Sequence, residues 1–379
     1  MRLRQVTLAL AIVALASFTL RAQNGQNGYW APTGPTHEKL YINSGEADIN
    51  NLTIVDVATM KVIKKMTTGK HPHGVASPKS QDVLYIASET EGTVTKLDTV
   101  NDEILENYGG WGTEPQESDI TPDGRFLYQP SYAGYWNVFD TQKKEIVAFI
   151  HTLGIGHNTL IDPQGHFAYL FPIKGGPGHW RRPSLGLPRT QPNEVTIVDI
   201  TKNHQVVGTI PVGDGPRPPI MSADGKRIYM DVDRFMGFLV IDVAARKVIS
   251  RAAFELTPDE KASSANGHAH GIAIGNKGKE VWTNDTAHDT TYAFDVTVDP
   301  PKQLARIPVG RGPYWIVPSQ DGMTMFVACP ASDEVFVLDV ATKKEKTRFK
   351  FSAVDHPVRM IDLAVPIKKQ TSTRSHGTA

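Results

Sequence analysis

Six of the chain's 13 histidines stand at one kind of place: just ahead of, or at the start of, a short apolar run. They are His71, His73, His157, His268, His270 and His356, and equivalent places elsewhere hold Glu117, Arg217, Tyr314 and Arg359. Neutral imidazole nitrogens suit Zn, Cu or Fe at about 2 Å. A pair such as His268-Ala-His270 carries both rings on one side of an extended strand. On this reading His73, His157, His270 and His356 hold a divalent or transition metal ion, and Glu117, Arg217 and Tyr314 are the catalytic set. Glu117 would be the acid or base and Arg217 the anion clamp. Two other readings use the same residues: catalytic histidines without metal, and histidines that only bond neighbouring loops. No His-Glu-x-x-His, Gly-x-Ser-x-Gly or Cys-x-x-Cys-His occurs, so zincin, serine-hydrolase-elbow and covalent-haem chemistry have no motif here.

Residues this far apart meet only if the chain returns to one place many times. A repeated aspartate counts the returns: an apolar residue precedes Asp56, Asp98, Asp140, Asp199, Asp242, Asp295 and Asp339, at spacings of 42, 42, 59, 43, 53 and 44 residues. Ahead of each lies an aromatic-bearing strand, as in Leu84-Tyr85-Ile86 or Val281-Trp282-Thr283. Seven units of this length, each with alternating short runs, predict an all-β, seven-bladed propeller of four-stranded antiparallel blades. Turn signals agree, with Gly closing Pro122-Asp123-Gly124 and Gln320-Asp321-Gly322 between first and second strands. The seven aspartates are expected to cap turns and have no catalytic part. The repeat starts in mid-unit at Leu40, and the missing strand is expected at Val358–Leu363. The C-terminal strand would then join the N-terminal blade and close the ring.

The unit running from Pro72 to Ala87, with Val-Ala and Leu-Tyr-Ile-Ala runs and a following Val-x-x-Asp, resembles the YVTN repeats of exported seven-bladed propellers. Val281-Trp282-Thr283-Asn284 is nearest to the tetrapeptide itself. The resemblance covers nearly all of residues 37–366 and implies the fold. It implies little about activity, because one fold carries many functions.

In such a blade the turn into strand one and the turn between strands two and three project on the same face. Both long insertions, Lys174–Asn193 and Glu255–Gly267, sit at these turns, so they crowd the face where the inner strands begin. The first, with Trp180, Arg181 and Arg182, reads either as a lid for an anionic or sugar ligand or as a loop packed on the next blade. The aromatic strand residues read as blade core.

Residues 1–22, with Arg2 and Arg4 before an apolar run, read as a signal peptide, 23–36 as a lead-in and 367–379 as a disordered tail. The protein is therefore expected in the periplasm or secreted, with no membrane span after cleavage. Forty basic against 40 acidic residues argue against a nucleic-acid partner, and the one cysteine, Cys329, excludes an intrachain disulfide. Two functions are expected. One is a binding propeller whose channel mouth takes a small-molecule ligand or protein partner. The other is a metal-dependent lyase, hydrolase or oxidoreductase at that mouth.

Overall fold

Strand alternation and turn chemistry build seven separate four-stranded sheets, each antiparallel throughout. They are the blades of a computed structural model that describes residues 34–45, 48–152, 154–173, 194–213, 215–264 and 267–367. The expected signal peptide, most of the lead-in, the Lys174–Asn193 lid and nearly all of the tail lie outside the described residues. Among the described residues no helix is long and apolar enough to cross a membrane.

The ring closes as the repeat register requires. Pro357–Pro366 pairs antiparallel with Thr36–Ser44, bringing Leu363 opposite Lys39 and Ile361 opposite Tyr41. Blade 1 thus takes its innermost strand from the chain's far end and its other three from Thr36–Ser44, Asn51–Asp56 and Lys61–Thr67. The innermost strands of blades 2 to 7 are Pro72–Ala76, Asp119–Ile120, Ile155–Ile161, Pro216–Met221, Ala269–Gly275 and Trp315–Pro318.

Between the blades lies the core. The aromatic of each second strand is buried, including Tyr41, Tyr85, Tyr128, Trp282 and Phe326. At the closure Leu40, Ile42 and Met360 of blade 1 pack on Trp315, Val317 and Phe326 of blade 7, so the two chain ends share one apolar cluster. The repeated aspartates do local work. Asp56, Asp98, Asp242 and Asp339 accept the backbone N–H groups of Thr59, Val100, Ala245 and Thr342 at 2.6, 2.8, 2.8 and 2.7 Å. Within the Glu255–Gly267 insertion a short helix, Pro258–Ser263, forms behind a capping box of Thr257 and Glu260.

Because the closing cluster belongs to both ends of the chain, Leu40→Ala should cost about 2–5 kcal/mol. Urea unfolding measures it, and a change below about 1 kcal/mol would mean that the closure is not cooperative with the rest of the ring.

Candidate functional site at the channel mouth

The inner strands do not run regularly to their starting ends. The pairing with strand two shifts register between Pro72 and Val75, between Gly156 and Asn158, between Pro216 and Pro219, and between Ala269 and Ile272. These stretches contain His73, His157, Arg217 and His270. An irregularity of this kind turns one side chain out of the pleat, which is how bulges re-aim residues. In blade 3 the ladder is interrupted at the same level: Pro115 bridges Ser131, pairing resumes at Asp119, and Glu117 lies between, bridging in parallel to Asn158 of blade 4. Two glycines make room. A Cβ on Gly74 would stand 2.2 Å from the Gln116 carbonyl oxygen. One on Gly271, at φ +85°, would stand 2.4 Å from that of Tyr314. The backbones of adjacent blades thus approach beside His73 and His270, where no side chain fits.

At the centre is an ion pair. Arg359, from the closing strand, donates through Nε to the Glu117 carboxylate, and both side chains are fully buried. Its Nη2 lies 2.8 Å from His73 Nε2, and His73 Nδ1 lies 3.2 Å from Glu117 Oε1. The guanidinium carries its protons permanently, so His73 accepts from Arg359 at Nε2 and keeps its own proton on Nδ1, which lies near the carboxylate without making a hydrogen bond among the described residues. Burial opposes the Arg359 charge, but Glu117 holds its pKa above the ordinary arginine value. The cation also lies over two rings, 4.7 Å from the centroid of Tyr314 and 4.2 Å from that of Trp315.

His270 stacks on Tyr314 at 3.8 Å and 8°, so the Tyr314 ring has Arg359 and His270 as neighbours. Its Nδ1 lies 3.0 Å from the Tyr314 carbonyl oxygen, an acceptor only, which fixes the proton on Nδ1 and leaves a lone pair on Nε2. That Nε2 is buried and has no hydrogen-bond partner among the described residues. Burial, followed by the charge of Arg359, depresses the pKa of both His73 and His270 far below the usual imidazole value, so both stay neutral. His157 bonds Asn158 Oδ1 through Nδ1 at 2.5 Å and faces Arg217 Nη1 with Nε2 at 3.5 Å. Arg217 is also held by Asp233, 3.1 Å from Nε, and its side chain keeps 22% exposure. Tyr132 stacks on His157 at 6.4 Å.

The structure brings His73, His157, Glu117, Arg217, His270, Tyr314 and Arg359 into one connected field, as the sequence pattern required. It separates the expected metal ligands. His73 and His157 rings are 6.3 Å apart, the nitrogens of His73 face Arg359 and Glu117, and His356 turns its Nδ1 to Asp333 at 2.7 Å. Among the described residues no three His, Cys, Asp or Glu side chains are grouped to hold a metal ion. The four histidines are instead taken up singly: His73 by Arg359, His157 by Asn158, His270 by the Tyr314 carbonyl and His356 by Asp333. Sequence reasoning missed Tyr132, Asp233 and Trp315. Only their position after, or at the end of, a strand facing the mouth could have marked them.

A family model described as lactonase, seven-bladed β-propeller, matches residues 39–346. The chain belongs to that family. No curated protein matches this sequence. Among solved structures, this lactonase-family propeller is similar to a periplasmic gluconolactonase from Pseudomonas aeruginosa at 16% identity and TM-score 0.68, over 87% of this chain and 99% of that one. It is similar to a putative 6-phosphogluconolactonase from Bacteroides fragilis at 15% identity and TM-score 0.65, over 88% and 99%. A Kuenenia stuttgartiensis hydrazine synthase chain matches at 20% identity and TM-score 0.64, over 82% and 97%. At these identities the likeness is one of fold.

Two predictions follow from the charge arrangement. Arg359→Met leaves the Glu117 carboxylate buried without its cation, and unfolding measurements should record a loss of about 3–5 kcal/mol, whereas an exposed pair would cost under about 1. Because His73 and His270 are harder to protonate folded than unfolded, the unfolded chain binds more protons once pH drops below about 6.5. Stability should therefore fall with decreasing pH below that value, by up to about 1.4 kcal/mol per pH unit for each imidazole. His270→Gln should reduce the slope; an unchanged slope would show that His270 does not resist protonation.

Proposed function

We propose that the channel mouth binds a small lactone and opens it by hydrolysis without a metal, His270 acting as general base. The observation that carries this reading is His270 itself: neutral, tautomer fixed by the Tyr314 carbonyl, its Nε2 lone pair unpartnered. A base that is unprotonated at neutral pH and held by its other nitrogen meets the first need of ester hydrolysis.

The step balances within the site. His270 Nε2 takes a proton from water, the water oxygen bonds the lactone carbonyl carbon, and the ring C–O bond breaks. The proton then passes to the departing ring oxygen. Arg217, reached by solvent and aligned by His157 and Asp233, would meet the negative charge that grows on the carbonyl oxygen. Arg359 and Glu117 act from behind, fixing the field around His73 and Tyr314. The family membership and the two lactonase-titled neighbours support the substrate class. The apolar N-terminal run and the periplasmic neighbour support export, and the Tyr and Leu-rich repeats support the narrower YVTN-type assignment.

A second reading is a ligand-binding propeller with no turnover. It is favoured by the full burial of Glu117 and Arg359, which pair with each other out of reach of solvent.

Glucono-δ-lactone hydrolysis, followed by proton release, separates them. The wild-type protein should exceed the uncatalysed rate, and His270→Gln should lower kcat by about 100- to 10,000-fold while calorimetry still detects ligand. Binding of lactone without turnover would leave only the second reading, and neither binding nor turnover would reject both.

A further inference from the structure

Blade 6 carries another arrangement on the same face, separate from the channel mouth. His288 sits in the turn between the strands Glu280–Asp285 and Thr290–Asp295. Its Nδ1 lies 2.8 Å from Oδ2 of Asp285, whose side chain is fully buried. Its Nε2 lies 3.0 Å from Oγ of Ser263, an exposed residue at the end of the helix Pro258–Ser263. We propose that Ser263, His288 and Asp285 form a nucleophilic triad that takes acyl groups from small carboxylic esters reaching the protein from solvent.

The geometry supplies the nucleophile, base and orienting group of such a triad in line. A nucleophile and its base stand within hydrogen-bond reach, and a third group orients the base. Asp285 is itself held: its Oδ1 accepts the N–H groups of Ala287 and His288 at 3.0 and 3.1 Å, so Oδ2 is left aimed at the imidazole. A carboxylate partner places the His288 proton on Nδ1, which makes Nε2 an acceptor. The Ser263 hydroxyl has one proton and three acceptors around it: the carbonyls of Asp259 and Glu260 at 3.0 and 3.1 Å, and His288 Nε2 at 3.0 Å. Its proton is shared among these three directions, and rotation about the Cβ–Oγ bond turns it from the helix carbonyls to Nε2. The helix is also tied down, because Glu260 caps it through Thr257 and pairs with Arg306 of the outer strand. This positions Ser263 over a rigid blade.

In the acyl-transfer step Ser263 Oγ bonds the ester carbonyl carbon and the ester C–O bond breaks. The serine proton passes to His288 Nε2 and from there to the departing alcohol. Water then attacks the acyl carbon, the Oγ–C bond breaks, and the proton returns through Nε2 to the serine. No oxidant or further reactant is needed. No step involves His270, so this proposal stands or falls apart from lactone hydrolysis.

Full-length protein treated with a fluorophosphonate probe and mapped by peptide mass spectrometry tests it. The expected result is an adduct on Ser263 that is absent in Ser263→Ala, with labelling slowed at least about 100-fold in His288→Gln and also slowed in Asp285→Asn. His270→Gln should label at the wild-type rate, and Ser263→Ala should leave lactone turnover unchanged. An unlabelled Ser263 in the folded wild-type protein, or equal labelling in His288→Gln with unchanged circular dichroism, would overturn the proposal. If His288→Gln fails to fold, the Asp285→Asn rate and the wild-type adduct position decide it.

Discussion

The site depends on one ion pair that spans most of the chain. Arg359 and Glu117 are 242 residues apart in sequence, yet their side chains meet with no exposure to water. Two charges can be buried together because each neutralises the other, whereas either one alone would be strongly destabilising. The pair can form only after the closing strand has docked on Thr36–Ser44, because that strand delivers Arg359. Ring closure and assembly of the mouth are therefore one event, and the apolar cluster shared by blades 1 and 7 stabilises both.

From that pair the rest of the electrostatics follows. Burial first, and the permanent cation of Arg359 second, keep the imidazoles of His73 and His270 from charging, so both remain neutral. Neutral histidines can act as bases or acceptors, but the same closeness sends their nitrogens to other partners. His73 accepts from Arg359 through Nε2, and His157 is used by Asn158 and Arg217. His270 differs because its partner is a backbone carbonyl on one side only, leaving Nε2 as the group still available for chemistry.

The irregular ends of the inner strands give this blade fold its function-bearing surface. Five blades break register at this end of the innermost strand: in four the break holds one of His73, His157, Arg217 and His270, and in blade 1 it falls beside Arg359. A regular strand would send alternate side chains between the blades, into the packed core. The shifts turn them toward the axis, and Gly74 and Gly271 let the neighbouring backbone come close enough to meet them. The face also carries the Ser263, His288 and Asp285 arrangement, placed there by the same parity of turns.

Period and alternation were enough to determine seven blades, their strand positions, the turn-capping aspartates and the closure by Val358–Leu363, because these depend on local spacing and on burying apolar faces. The gathering of Glu117, His157, Arg217, His270, Tyr314 and Arg359 on one face was equally legible, since up-and-down parity fixes it once the blades are counted. What each ring nitrogen touches was not. His356 turning to Asp333, His73 lying between Arg359 and Glu117, and Ser263 reaching His288 all depend on contacts between segments whose sequence separation carries no period. Spacing fixes which face a residue reaches, and packing decides which atom it meets.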